Sequence, residues 1–242
     1  MRALFHGSFL KRLVAVLLPV LAAAAPSAAE EIGVVVKVRP QVRAFPPAGK
    51  SDFDVVEGSA VERGETVRLT GKSSYLRVAL KLDGEKVERS LRGDQRFAFT
   101  ATALLAGQSE VRFGDPVSTV TSTIQLLFGK LRLALVPGAS RVNVETSDAV
   151  AGVKGTYLRI LADPAVGTFI AVDEGVVTVQ AKAGGAPVEV TAGHGVLVPP
   201  GGLPQRPGPL GPGGAWKGFS GEPFTDPPLL DGLNPSTEPP KG

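Results

Sequence analysis

Between Gly129 and Pro200 the chain alternates apolar and polar residues at every second position, and glycine interrupts the alternation at nearly every turn. Leu131, Leu133 and Leu135 alternate with Arg132 and Ala134, and Val142 and Val144 with Arg141, Asn143 and Glu145. Val177, Val179 and Ala181 alternate with Thr178, Gln180 and Lys182, and Val188 and Val190 with Glu189 and Thr191. A period of two puts successive side chains on opposite faces of a strand, whereas a helix needs 3.6. Short strands at close spacing with glycine turns predict an all-β domain of mostly antiparallel strands, built as a sandwich, barrel or solenoid.

The preceding region, residues 31 to about 113, has the same texture. Leu76, Val78, Leu80 and Leu82 fall on one face of a predicted strand, and Arg77, Ala79 and Lys81 on the other. That pattern predicts one packed face and one wet face. Val67 and Leu69, then Phe97 and Phe99, repeat the alternation on shorter runs, with turns at Glu57-Gly58, Arg63-Gly64, Thr70-Gly71, Asp83-Gly84 and Arg92-Gly93. Asp83-Gly84, between Leu82 and Val87, is a hairpin candidate because tight hairpin turns need positive φ. Residues 101–106 form the main helical candidate, too short to dominate the fold.

Two segments differ from this texture. Residues 1–29 read as an export signal: Arg2, Lys11 and Arg12 precede an apolar run from Leu13 to Ala25, and Ser27-Ala28-Ala29 offers small residues for cleavage before Glu30. The run is about 13 residues, short of the roughly 20 that a spanning helix needs. An uncleaved N-terminal anchor is the alternative, and only that would bring membrane contact. At the other end, residues 199–242 hold 12 of the 21 prolines and 10 glycines. Such a stretch lacks backbone donors and a continuous apolar face, so a disordered tail is predicted over 201–242. Trp216, Phe219, Phe224, Leu229 and Leu230 punctuate it, either as a docking motif or as a sticky tail lying back on its own domain. Residues 30–200 are the predicted β domain, one unit or two stacked lobes at 30–113 and 114–200.

Export changes the electrostatic reading. Three of the 26 basic residues and no acidic residue lie in the signal, which leaves 23 basic against 23 acidic. A basic whole-chain balance would raise nucleic acid as a partner; a neutral mature chain does not. With no cysteine, the chain has no disulfide and no acylation site of the bacterial lipoprotein kind, so the core must hold the fold and no lipid anchor is expected.

Candidate chemistry is sparse. His194, the one histidine beyond the signal, sits in a glycine turn with no cysteine, second histidine or adjoining carboxylate. Asp173 and Glu174 are neighbours, and adjacent strand residues point to opposite faces, which makes a poor catalytic pair. Gly152-Val153-Lys154-Gly155-Thr156 has the residues of a phosphate loop but leads into the strand-like Tyr157-Leu158-Arg159-Ile160, not a helix. Residues 37 to 77 are rich in basic groups (Arg39, Arg43, Lys50, Arg63, Arg68, Lys72, Arg77), but Asp52, Asp54, Glu57, Glu62 and Glu65 largely offset them. No catalytic residue, cofactor or metal is predicted. A sheet edge left open would be a surface for a partner strand.

Two blocks resemble the FecR domain family, β-rich modules of bacterial envelope proteins. Val56-Glu57-Gly58-Ser59-Ala60-Val61-Glu62-Arg63-Gly64-Glu65, followed by Gly71-Lys72-Ser73-Ser74-Tyr75-Leu76-Arg77-Val78, is similar to its opening pattern. Gly129-Lys130-Leu131-Arg132, Val144-Glu145-Thr146, Gly152-Val153-Lys154-Gly155-Thr156, Asp173-Glu174-Gly175-Val176-Val177 and Ala192-Gly193-His194-Gly195 follow its later elements in order. The resemblance covers about residues 33–200. It implies structural turn roles for Gly58, Gly64, Gly129, Thr146, Gly152, Gly155, Thr156, Glu174, Gly175 and Gly193. Gly155 and Gly175 are expected at positive φ, Thr156 on local backbone, and Glu174-Gly175 in a hairpin turn. About a dozen residues precede the apolar run, too few for the cytoplasmic sigma-factor-controlling region of the ferric-siderophore regulators. The expectation is a periplasmic or secreted, non-catalytic module that senses, signals or scaffolds by contact with another envelope protein. A cell-wall or carbohydrate-binding module is a further alternative, and it would show aromatic residues exposed on one sheet face.

Overall fold

The alternating runs become strands in the computed structural model, which describes residues 30–46, 51–81, 100–114, 122–135 and 141–211. Every regular element among these residues is a strand: β1 (Glu31–Val38), β2 (Val42–Phe45), β3 (Phe53–Asp54), β4 (Ala60–Glu62), β5 (Glu65–Leu69), β6 (Tyr75–Leu80), β7 (Ala101–Phe113), β8 (Ser122–Leu135), β9 (Val142–Glu145), β10 (Ala149–Val153), β11 (Tyr157–Asp163), β12 (Gly167–Glu174), β13 (Val176–Ala181), β14 (Gly184–Thr191), β15 (His194–Val198) and β16 (Gly208–Pro209). The signal segment, Asp83-Gly84, Arg92-Gly93, Phe97, Phe99 and the tail from 212 lie outside the described residues.

All sixteen strands join one sheet, which folds over on itself because β7 and β8 are long enough to serve two layers. The first half of β7 pairs with β6 and its second half with β5. The later half of β8 pairs with β11, while residues 122–125 run parallel to β9, the single parallel ladder among the described strands. The front layer is therefore ordered β4-β1-β6-β7-β8-β11-β12-β15-β16, and the back layer β3-β2-β5-β7-β8-β9-β10-β13-β14. Inward side chains of both layers, Leu76, Leu105, Leu133 and Ile160 from the front and Val67, Val144, Val179 and Val190 from the back, belong to one buried cluster.

The fold-over is a crease between Ala106 and Glu110, where the β7–β8 register shifts. Gly107 and Gly129 take φ of 67° and 99° there. A Cβ on Gly129 would lie 2.2 Å from Ser109 Oγ and 2.5 Å from the Gln108 carbonyl oxygen, so only glycine allows the strands this close. The Ser109 hydroxyl, fully buried, donates to the Ala106 carbonyl and accepts from the Lys130 amide, both at 2.9 Å. It replaces the ladder bonds that the crease interrupts, as buried backbone groups require.

Three sequence expectations are corrected here. Residues 101–106 are not helical but open β7: Ala101, Ala103 and Leu105 face the core, and Thr102 and Leu104 are nearly as buried on the other face. With both faces covered, the period of two disappears from the hydrophobicity pattern. The second face of β6 is likewise not wet, since Tyr75, Ala79 and Lys81 are buried there and Arg77 is mostly so. Strand pairing also runs past 200: Gly208 pairs with Gly195, and the amide of Gln205 donates to the Leu197 carbonyl.

Gly129→Ala is expected to cost about 3 kcal/mol, the sum of a strained φ and a backbone clash. Gly184→Ala, at φ 103° but with open space around its Cβ, is expected to cost only about 1 kcal/mol. Urea unfolding midpoints of the two variants at unchanged slope measure the difference.

Candidate functional site

The residues singled out by the family resemblance are structural, and most mark places where the chain changes layer. β10 is in the back layer and β11 in the front, with Gly155 between them at φ 58°; β12 is in front and β13 behind, with Gly175 between them at φ 83°. Glu174-Gly175 is therefore not a hairpin, because β12 and β13 do not pair with each other. A positive φ here turns the chain out of the plane of one layer into the other. The two crossovers touch: a Cβ on Gly175 would lie 3.2 Å from Thr156 Oγ1 and 3.3 Å from the Gly155 oxygen. Thr156 is buried, and its hydroxyl donates to the Lys154 carbonyl at 2.9 Å, the local backbone bond that was expected.

The other positions are dispersed. Gly58, Gly64 and Gly193 sit in turns at positive φ, whereas Gly152 is an ordinary interior residue of β10 paired with Asn143 and Thr178. Thr146 closes the β9–β10 hairpin, accepting from the Ala149 amide at 3.0 Å. Its hydroxyl also meets that of Thr168 in β12 at 2.6 Å, a buried bond between the two layers. Glu174 is exposed, and Asp173 is held by Arg159, so the two carboxylates do point apart. His194 opens β15, with Nδ1 3.1 Å from the Ala192 carbonyl oxygen and 3.3 Å from Thr191 Oγ1. Among the described residues no three His, Asp or Glu groups are placed to share a metal.

Register assembles a different site, on the outer face of the front layer. Lys37 pairs with Arg77, Arg77 with Leu104, Leu104 with Arg132, Arg132 with Arg159, and Arg159 with Ala171. Directly paired residues point to the same side, so four cations lie in one row across six strands. Lys130, paired with Ala106, flanks the row on the same face. Beyond Lys130 an open cleft of about 410 Å³ follows, lined among others by Lys72, Gln108, Lys130 and Asp163. The row's aromatic neighbours are Tyr75, Tyr157 and Phe169. Arg132 stands 5.1 Å over the Tyr157 ring, and Arg39 stands 5.1 Å over that of Tyr75.

The cations are anchored unequally. Arg159 makes a forked pair with Asp173, Nε to Oδ2 at 2.9 Å and Nη2 to Oδ1 at 2.6 Å, at 5% exposure. Such planar two-bond contacts fix a guanidinium in place. Arg77 has no such partner: its Nε is buried without a hydrogen bond, and burial alone pushes its pKa below the ordinary arginine value. By contrast, three arginines of the 37–77 segment off this face are paired, Arg43 with Asp52 and Asp54, Arg63 with Glu30, and Arg68 with Glu110.

Sequence reading missed this row because its members are spread from position 37 to 159. A signal was present: Leu76-Arg77-Val78, Leu131-Arg132-Leu133 and Leu158-Arg159-Ile160 each place one arginine between two core residues. Only the pairing of the strands aligns the three.

No family model matches the chain, and no curated protein matches it. Among solved structures, two crystal structures of a proposed anti-sigma factor from Parabacteroides distasonis ATCC 8503 are similar in part. One has a TM-score of 0.44 and 12% identity over 58% of this chain and 57% of its own; the other has 0.39 and 12% over 56% and 60%. The chain thus spans less than two thirds of either, and a likeness this distant carries no functional argument.

Removing the anchor of the row has a defined cost. Asp173→Asn is expected to destabilise the fold by roughly 2 to 3 kcal/mol, because it removes the charge from the forked pair that holds the buried Arg159. Charge-reversed Arg159→Glu in the Asp173→Arg background should recover part of that loss in the same unfolding assay.

Proposed function

We propose that this chain is an exported, non-catalytic module of the bacterial envelope that recognises another envelope protein through the outer face of its front layer. The observation that carries this reading is the row Lys37, Arg77, Arg132 and Arg159, set beside Tyr75, Tyr157 and Phe169 on a rigid sheet. Arginine and tyrosine are the residues that protein interfaces favour, since each offers a large contact area together with directed polar groups. The partner segment that fits is acidic and aromatic.

Two other surfaces fit less well. The edge strand β14 is eight residues long and pairs only with β13. Pro187 lacks an amide donor, and the exposed Glu189 would be brought against any added strand, so this edge is blunted as natural edges are. A carbohydrate platform needs open rings, whereas Arg39 and Arg132 already stand over Tyr75 and Tyr157. The export half of the proposal rests on residues 1–29, and the FecR resemblance of the motif blocks supports the envelope setting.

Site-specific photo-crosslinking in the producing bacterium tests the proposal. A cross-linker at Lys37 or Lys130 on the row should capture one discrete envelope protein, and one at Glu189 on β14 should not. Sequencing the mature chain should begin at Glu30. Equal capture at all three positions, or a chain retained in the cytoplasm, would overturn the reading.

A further inference from the structure

Beside the crease lies a cleft that the row of cations does not use. Residues 107–109 of β7 stand opposite Gly129 alone, because Ala106 pairs with Lys130 and Glu110 with Phe128. An excess of residues on one strand is a bulge, which opens the ladder and re-aims the side chains around it. The opening here holds about 410 Å³ and is lined by Lys72, Gln108, Phe128, Lys130, Leu161 and Pro164 among others. Sites for small ligands occupy about 300–1,000 Å³. Lys37, Arg77, Arg132 and Arg159 are not among the lining residues.

Both walls of the cleft are fixed by hydrogen bonds. Lys72 belongs to the turn that leads from β5 to β6. The Thr70 amide donates to the Gln41 carbonyl at 3.1 Å, and the Ser74 hydroxyl to the Pro40 carbonyl at 2.7 Å. From the crease, the Gly107 amide donates to the Ser74 carbonyl at 2.9 Å and the Gln108 side-chain amide to the Thr70 carbonyl at 3.4 Å. These bonds tie the turn to the β1–β2 corner, where Gln41 is held at φ 70°, and to β7. In the opposite wall, Asp163 Oδ1 accepts from the Ala165 amide at 2.8 Å and from the Val166 amide at 3.3 Å, which closes the β11–β12 turn. A cleft with fixed walls loses little freedom when a ligand enters.

The lining selects the ligand's chemistry. Lys72 and Lys130 make no ion pair with another described residue, and the carboxylate in the wall, Asp163, is engaged with backbone amides. The cleft therefore carries a positive excess and favours an anionic group. Phe128, Leu161 and Pro164 add apolar surface that a bare inorganic anion would leave wet and an apolar side chain would cover. We infer that the cleft captures the C-terminal end of a peptide, with the terminal carboxylate at Lys72 and Lys130 and the last, apolar side chain against Phe128, Leu161 and Pro164. The open mouth lets the rest of the peptide run out to solvent, and capture of a terminal charge is a recurring mode of peptide recognition. Such capture uses none of the four cations of the row and so goes beyond the recognition proposed above; either can fail alone.

Titration of the isotope-labelled exported chain with N-acetyl-alanyl-leucine, followed by amide NMR, tests the assignment. The amides of Gly107, Gln108 and Lys130 should shift and saturate together. Replacing the peptide's carboxylate by a carboxamide should weaken binding about tenfold, and so should Lys72→Glu or Lys130→Glu, each of which turns an attraction into a repulsion. Lys72 is exposed, so its variant should keep the urea midpoint of the unmodified chain. Lys37→Glu, on the row but outside the cleft, should bind the peptide as the unmodified chain does. Equal binding of the acid and the carboxamide would overturn the inference, as would a Lys37→Glu loss equal to that of Lys72→Glu. So would the absence of saturable shifts at the crease, or inorganic phosphate moving the same amides as strongly as the peptide. Loss of the peptide with cross-linking at Lys37 retained would remove only the cleft, whereas peptide binding without capture at Lys37 would remove only the recognition by the row.

Discussion

The close approach of β7 and β8 at Gly129 and Ser109 is the constraint on which the rest of the molecule depends. Without a side chain at 129 the two long strands can crease, and the buried serine hydroxyl takes up the amide and carbonyl groups that the crease would leave unpaired. One pair of strands then feeds both layers. A single core forms between those layers, which is how a chain without cysteine can close a folded domain. The crossovers at Gly155 and Gly175 and the Thr146–Thr168 bond repeat the same solution at other corners. In each, a position that tolerates no bulk or a hydroxyl that completes interrupted backbone bonding lets the layers meet.

The crease also determines what the front face presents. Because the inward positions of β6, β7, β8 and β11 are set by the core, their outward positions are set too, and a one-residue slip would exchange the two sets. Arg77, Arg132 and Arg159 are carried into line by leucines, isoleucine and valine packing behind them. The arrangement of this surface is thus an outcome of core packing, with Asp173 holding Arg159 and the Arg77 Nε buried without a hydrogen-bond partner among the described residues.

Strand identity was legible wherever one face was covered and the other open. The runs Val142–Glu145 and Val176–Ala181 alternate in burial as they alternate in sequence. Legibility failed where both faces were covered, as at residues 101–106, since a period of two needs contrast between faces. It failed again at Glu174-Gly175, which carries the dipeptide of a hairpin but serves a change of layer. A dipeptide encodes a local bend, and which strands that bend will separate depends on partners far along the chain.

By itself the sequence determined the all-β class, the positions needing positive φ, the hydroxyl at Thr156 bonded to neighbouring backbone, and the opposed directions of Asp173 and Glu174. These follow from local backbone geometry and need no long-range information. Tertiary structure alone decided the fold-over, the layer each strand joins, and the alignment of Lys37, Arg77, Arg132 and Arg159 from four separate strands. The physical reason is that strand pairing is non-local: the hydrogen bonds that select a neighbour are the same for every residue type, so the choice is made by how the whole apolar set closes into one core.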